Sequence, residues 1–132
     1  MKNLLTINSN IENLRIVEKF VDEVYDKYKF NDEIYGNILI ATMEAANNAI
    51  LHGNKNDISK KVEIKVSKTK NLIQLTVKDE GPGFDYKNIP DPTAPENIEK
   101  INGRGIFLME KLSDKIEFKE NGRIVKLTFR IK

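Results

Sequence analysis

The sequence contains no cysteine. That excludes disulfides, a thiol nucleophile and any Cys-based zinc site. It holds a single histidine, His52, so a histidine metal cluster is excluded as well. Tryptophan is absent, and no ladder of other aromatics is spaced for stacking on bases. No apolar run approaches the roughly 20 residues that a membrane-spanning helix needs. The opening residues, Met1 to Asn8, are too short and polar for a signal peptide. Neither sign of charge dominates: 22 basic and 20 acidic residues leave a net charge of +2. Lys60, Lys61, Lys65, Lys68 and Lys70 lie along predicted strands and a turn, which suits a solvated sheet face and edge better than a nucleic-acid footprint. These absences fit a protein of the reducing cytoplasm.

What is present is a soluble, globular balance, with 39% hydrophobic and 32% charged residues. The 132 residues suit one domain, 1–132, around one core. No internal repeat or low-complexity segment stands out. Leu4 to Ser9 reads as a strand. Ser9-Asn10-Ile11-Glu12 reads as a capping box that opens a helix. Leu14, Val17, Phe20, Val21, Val24 and Tyr28 recur at helical spacing, so one face of that helix is buried. Asn31 caps a second helix that runs to about His52, with Gly53 as its stop. Val62, Ile64 and Val66 alternate with polar residues, as do Ile73, Leu75 and Val77, giving two strands. A polar stretch from Asp85 to Asn102, rich in Pro, Asp and Asn, has the length of a functional lid. An apolar helix, Ile106 to Leu112, follows. Strands at Lys115 to Lys119 and Ile124 to Ile131 close the chain, with Asn121-Gly122 as their hairpin turn. The order β-α-α-β-β-lid-α-β-β predicts an α+β fold: a two-layer sandwich with helices on one face of a mostly antiparallel sheet.

Three short segments carry chemistry. In the second helix, Glu44, Asn48 and His52 are spaced i, i+4, i+8 and project from one side. The Asn oxygen is a hard ligand suited to Mg²⁺. The Glu can take a proton from an attacking hydroxyl. Taken alone, this is a polar stripe on an amphipathic helix. Ala41, Ala45, Ala46 and Ala49 shift the balance slightly, because small side chains let a ligand approach closely. Asp79-Glu80-Gly81-Pro82-Gly83 has the form D-x-G-x-G at a strand end. Its glycines can set N–H groups against an anion or a flat ring, and Asp79 can accept from an amino group such as that of adenine. Gly103-Arg104-Gly105 opens a helix, where free N–H groups and the dipole favour phosphate. Arg104 adds a forked positive charge. Leu108 stands where a dinucleotide fingerprint needs its third glycine, and a Walker-type loop is absent. H-R-D and D-F-G tripeptides are also absent, which excludes the eukaryotic-type kinase pattern. His52, at the helix end beside Gly53, suits a helix-terminal contact or packing better than catalysis.

In this order and spacing the segments resemble the ATP-binding boxes of the GHKL superfamily, which includes gyrase, sensor histidine kinases and MutL. Glu44 to Asn48 match its N-box, and Asp79 to Gly83 and Gly103 to Gly105 its two glycine boxes. The runs Ala45 to Asn54, Asp91 to Asn97 and Gly103 to Met109 are similar to bacterial anti-sigma-factor serine kinases of the RsbW/SpoIIAB type.

The resemblance implies the Bergerat ATP-binding fold and ATP with Mg²⁺ as cofactors. It makes Glu44 the base and Asn48 the Mg²⁺ ligand. Asp79 would hold the adenine amino group. Gly81 and Gly83 would shape the adenine pocket and hinge the lid, and Gly103, Arg104 and Gly105 would meet the phosphates. It also implies a homodimer that binds a sigma factor and phosphorylates a STAS-domain anti-anti-sigma protein. The family often has a hydroxyl residue just after the glycine of the last hairpin. Here Gly122 is followed by Arg123 and Ile124, so either that contact is missing or Thr128 supplies something similar.

Three other readings compete. A non-catalytic ATP-dependent switch would not need the base at Glu44. A sensor-kinase catalytic domain would need an acceptor histidine on a separate helix. An ATPase of the gyrase or MutL kind would need a transducer domain.

Overall fold

The computed structural model describes residues 3–82 and 101–131, with the backbone alone for 101–104. Strand β1 (Leu4–Asn8) leads through a 3-10 turn (Ile11–Asn13) into helix α1 (Leu14–Tyr28). Helix α2 (Asp32–Asn48) continues into a π-helical turn (Ala49–Gly53). Strands β2 (Lys61–Lys68) and β3 (Leu72–Lys78) form a hairpin. Helix α3 (Ile101–Leu112) and strands β4 (Lys115–Lys119) and β5 (Ile124–Arg130) follow.

The five strands form one sheet in the order β1-β2-β3-β5-β4, and every neighbouring pair is antiparallel. Strand alternation decides which face is covered. Val62, Ile64 and Val66 of β2, Ile73, Leu75 and Val77 of β3, and Val125, Leu127 and Phe129 of β5 all point inward and are buried. Lys61, Glu63, Lys65 and Ser67 fall on the opposite face and are exposed, as a solvated sheet face requires. The helices cover the apolar face. Val17, Phe20, Val21 and Val24 of α1 are buried there, each worth about 1.5–3 kcal/mol of apolar burial. This is the expected two-layer α+β sandwich.

Local chemistry sets the helix ends. Asn31 caps α2, its side chain accepting from the Ile34 N–H at 2.8 Å, with Asp32 and Glu33 in the first turn. Lys29 closes α1 in the left-handed region at φ 54°. The side chains of Tyr25 and Tyr35 donate to Asp32 and Asp22, tying α1 to α2.

Three local expectations change. The start of α1 is not a Ser9 capping box. Ser9 Oγ donates to the Lys60 carbonyl instead, and Asn10 caps the 3-10 turn by accepting from the Glu12 N–H. A buried hydroxyl bonds the strand connection it faces rather than the helix next in sequence. The second helix does not stay α-helical to His52. Its last turn widens, and the Asn54 N–H reaches the Ala49 carbonyl at 2.8 Å. Such wide turns are rare and are frequently found at functional sites. Finally, α3 begins at Ile101, so Gly103, Arg104 and Gly105 lie inside it rather than before it. Gly103 falls among the first N–H groups of the helix, which have no intrahelical bond to lose, and buried Ile106 and Met109 hold the helix on the core, so glycines near its start are tolerated. The lid expected at Asp85 to Asn102 lies outside the described residues, apart from the backbone of its last two.

Candidate nucleotide site

A cavity opens between α2 with its π-turn, α3, and the ends of β3, β4 and β5. Ala45, Asn48, Ala49, His52 and Gly53 line it from the helix side, and Ile106 and Met109 from α3. Val77, Asp79, Phe118, Gly122 and Val125 line it from the sheet. Its walls are mainly apolar, with polar groups concentrated at Asn48, His52 and Asp79.

At one end, Gly105 of α3 stands against α2. A Cβ placed on Gly105 would lie 2.7 Å from Asn48 Nδ2 and 3.2 Å from Glu44 Oε2. Two of the three sequence motifs thus meet in space. Asn48 Oδ1 is buried, and no described residue hydrogen-bonds it. An orphaned buried amide oxygen is costly, and it is the atom that a hard cation would use. Mg²⁺ commonly takes only one or two protein oxygens and completes its shell with water and phosphate. The donor set here fits that habit. Among the described residues, no group of three or more His, Cys, Asp or Glu gathers as a protein-only metal cage.

At the other end, Asp79 is 8% exposed, and its Oδ1 accepts from the Gly81 N–H at 2.8 Å. Its own N–H donates to the Arg123 carbonyl at 3.0 Å. Burial pushes the Asp79 carboxyl above its ordinary range, while the Gly81 N–H, Arg123 and Lys60 pull it back. Two glycines make room for it. A Cβ on Gly53 would sit 2.3 Å from Asp79 Oδ2, and a Cβ on Gly81 would sit 1.8 Å from the Gly53 carbonyl oxygen. No side chain fits at either position.

Of the expected site residues, Asn48 and Asp79 line this cavity; Gly105 stands against Asn48 and Glu44, and Gly81 against Gly53 and Asp79. Gly103 and Arg104 stand in the first turn of α3, at its N-terminal end. Gly83 and the Arg104 side chain lie outside the described residues. Thr128 does not replace the missing hydroxyl. It lies three positions from Val125, on the opposite face of β5, where its Oγ1 accepts from Gln74 Nε2 at 3.3 Å.

His52 stands in the last turn of the π-helical segment and lines the pocket wall. Its Nε2 is buried with no hydrogen-bond partner among the described residues, and burial holds its pKa below the ordinary value. Sequence reasoning gave Gly53 only the role of a helix stop and gave Asn54 no role. The available signal was a glycine followed by a short polar residue between a helix and a strand. Such a residue often bonds backbone.

The sequence profile of the histidine kinase-like ATPase domain matches residues 7–129. The serine-protein kinase RsbW of Oceanobacillus iheyensis is 29% identical over 100 residues, 71% of this chain and 63% of that protein. Its namesake in Bacillus cereus is 26% identical over 119 residues, 86% and 74% of the two chains. That of Bacillus subtilis is 28% identical over 99 residues, 70% and 61%. The chain therefore spans less than two thirds of the length of two of these three relatives. A crystal structure of the RsbU and RsbW domains of Rv1364c from Mycobacterium tuberculosis shares the fold. Its TM-score is 0.62 at 16% identity, over 99% of this chain and 32% of that one. The motifs meet around one cavity and the profile match runs from the first strand to the last, so the chain belongs to the family of histidine kinase-like ATPase domains.

Proposed function

We propose that this chain is an anti-sigma protein-serine kinase. It binds Mg-ATP, sequesters a sigma factor from core polymerase, and phosphorylates a serine on a STAS-domain anti-anti-sigma antagonist. One observation carries the reading. A carboxylate and an orphaned carboxamide oxygen, Glu44 and Asn48, meet Gly105 at one end of a cavity whose other end holds the buried Asp79 carboxylate. The relatives named as serine-protein kinases support it.

Asp79 accepts a hydrogen bond from the adenine amino group. The apolar walls from Ile106, Met109 and Val77 enclose the ring. The first turn of α3, with Gly103, Arg104 and Gly105, meets the phosphates. Asn48 Oδ1 holds Mg²⁺, which when bound neutralises phosphate charge. Glu44 takes the proton of the attacking serine as its oxygen bonds to phosphorus and ADP departs with the old P–O bond electrons. The same proposal includes a homodimer, which sedimentation tests, and a cytoplasmic location.

The deciding experiment has two arms. The protein is used to capture partners from its native cells with and without ATP, and captured sigma factors and STAS proteins are identified by mass. Labelled ATP is then incubated with the purified STAS partner, and phosphoserine is measured. Transfer to one serine is the expected result. ATP binding without transfer to any captured partner would replace the kinase by a nucleotide-operated switch.

A further inference from the structure

The turn that carries Asp79 is held from outside. Asn54, the residue after the π-turn, is 1% exposed. Its Nδ2 donates to Ser9 Oγ at 2.8 Å and to the Lys61 carbonyl at 3.0 Å. Its Oδ1 accepts from the Glu80 N–H at 2.8 Å. One side chain thereby joins the end of β1, the start of β2 and the turn after β3 to the end of the α2 segment.

The chemistry demands an amide. Two donors and an acceptor are needed at once, and a carboxylate cannot donate to the Lys61 carbonyl. Glu80 sits between Asp79 and Gly81, and Gly53 precedes Asn54. The close contact between Gly53, Asp79 and Gly81 is therefore fixed one residue away on each chain segment. Asn54 itself does not line the cavity. Whatever it contributes to binding passes through Asp79.

We infer that Asn54 is a positioning residue for nucleotide selection: its side-chain amide sets the Asp79 carboxylate at the base end of the cavity, and so sets the preference for a base that carries an amino group. This rests on the ATP-binding reading above.

The test compares ATP with inosine triphosphate, which has a carbonyl in place of the adenine amino group. Dissociation constants are measured by calorimetry on the full chain. The wild type should prefer ATP by about tenfold or more, the worth of one charge-assisted hydrogen bond. Asp79→Asn should abolish that preference. Asn54→Ala should reduce it several-fold and speed hydrogen exchange at the Glu80 amide. Val21→Ala truncates a core residue of α1, which lines no part of the cavity, and should lose stability but keep the preference. Asn54→Ser, which retains one polar contact, carries the same test if Asn54→Ala does not fold. An unchanged ATP preference in a folded Asn54 variant overturns the inference and leaves the ATP reading standing. A wild-type chain that binds neither nucleotide overturns both.

Discussion

Gly105 of α3 is pressed against Asn48 of α2, with room for a hydrogen atom and not for a methyl group: a Cβ there would lie 2.7 Å from Asn48 Nδ2. Real Cβ contacts do not come so close. The pair lies 57 positions apart in sequence, and its contact joins two motifs that are separately unremarkable.

Gly105→Ala should therefore separate stability from binding. Alanine favours a helix by about 0.8–1 kcal/mol over glycine, which offsets part of the clash. The melting temperature should stay near that of the wild type. Mg-ATP affinity should fall about tenfold or more, because Asn48 must shift to admit the methyl group. Calorimetry and a thermal melt on the same sample check both. Wild-type affinity would mean that the contact is not part of the site.

Asp79→Asn should show the opposite trade. Burial raises the Asp79 pKa above its ordinary 3.8, so the folded chain binds that proton more readily than the unfolded chain does. The ionised group therefore destabilises the fold at neutral pH, and the penalty is relieved as pH falls through the folded pKa. The asparagine variant keeps an acceptor for the Gly81 N–H. Without ligand it should be more stable than wild type at pH 7, with the gap closing in acid. Its ATP affinity should drop roughly ten- to a hundredfold. Denaturant melts at several pH values test the sign.

Glu44→Gln and Asn48→Ala should fail differently. The glutamine keeps the shape and polarity of Glu44 but cannot take a proton. ATP should bind nearly as well, while phosphate transfer falls by about 10²–10⁴-fold. Asn48→Ala removes the metal ligand and should weaken Mg-ATP binding itself. Single-turnover transfer and equilibrium binding distinguish the two. Wild-type transfer by Glu44→Gln would assign the base elsewhere.

His52 offers a pH probe free of overlap, since the chain has no other histidine. Its pKa is lowered from the ordinary 6.5 by burial, so the unfolded chain takes up a proton near pH 6.5 that the folded chain still refuses. Stability should fall as pH drops from 6.5 toward the folded pKa. His52→Gln should lose that dependence. The imidazole resonance should titrate with a midpoint below 6.5, and a midpoint at or above that value would place the ring in solvent.

The layout was largely legible before any coordinates. Alternation in Val62-Glu63-Ile64-Lys65-Val66 and helical spacing in Val17, Phe20, Val21 and Val24 each select one buried face. Those faces can only be covered by each other. Asn31 and the Asn121-Gly122 turn mark boundaries through local hydrogen bonding and backbone conformation, so they too were readable. Ser9 was misread because its partner is the Lys60 carbonyl, 51 residues away, and local capping rules do not see such partners.

The site divides along the same line. The sequence by itself determined which residue types were available: an acid and an amide one turn apart on a helix, an Asp before a glycine pair, and glycines near a helix start. Their spacing along the chain carries that much, because side chains four apart on a helix must share a face. Only the tertiary structure decided that Gly105 touches Asn48, that Gly53 abuts Asp79 and Gly81, and that Asn54 bonds the turn after Asp79. It also turned Thr128 away from the cavity. The physical reason is that these contacts join distant segments, and their geometry depends on how the helix layer settles on the sheet.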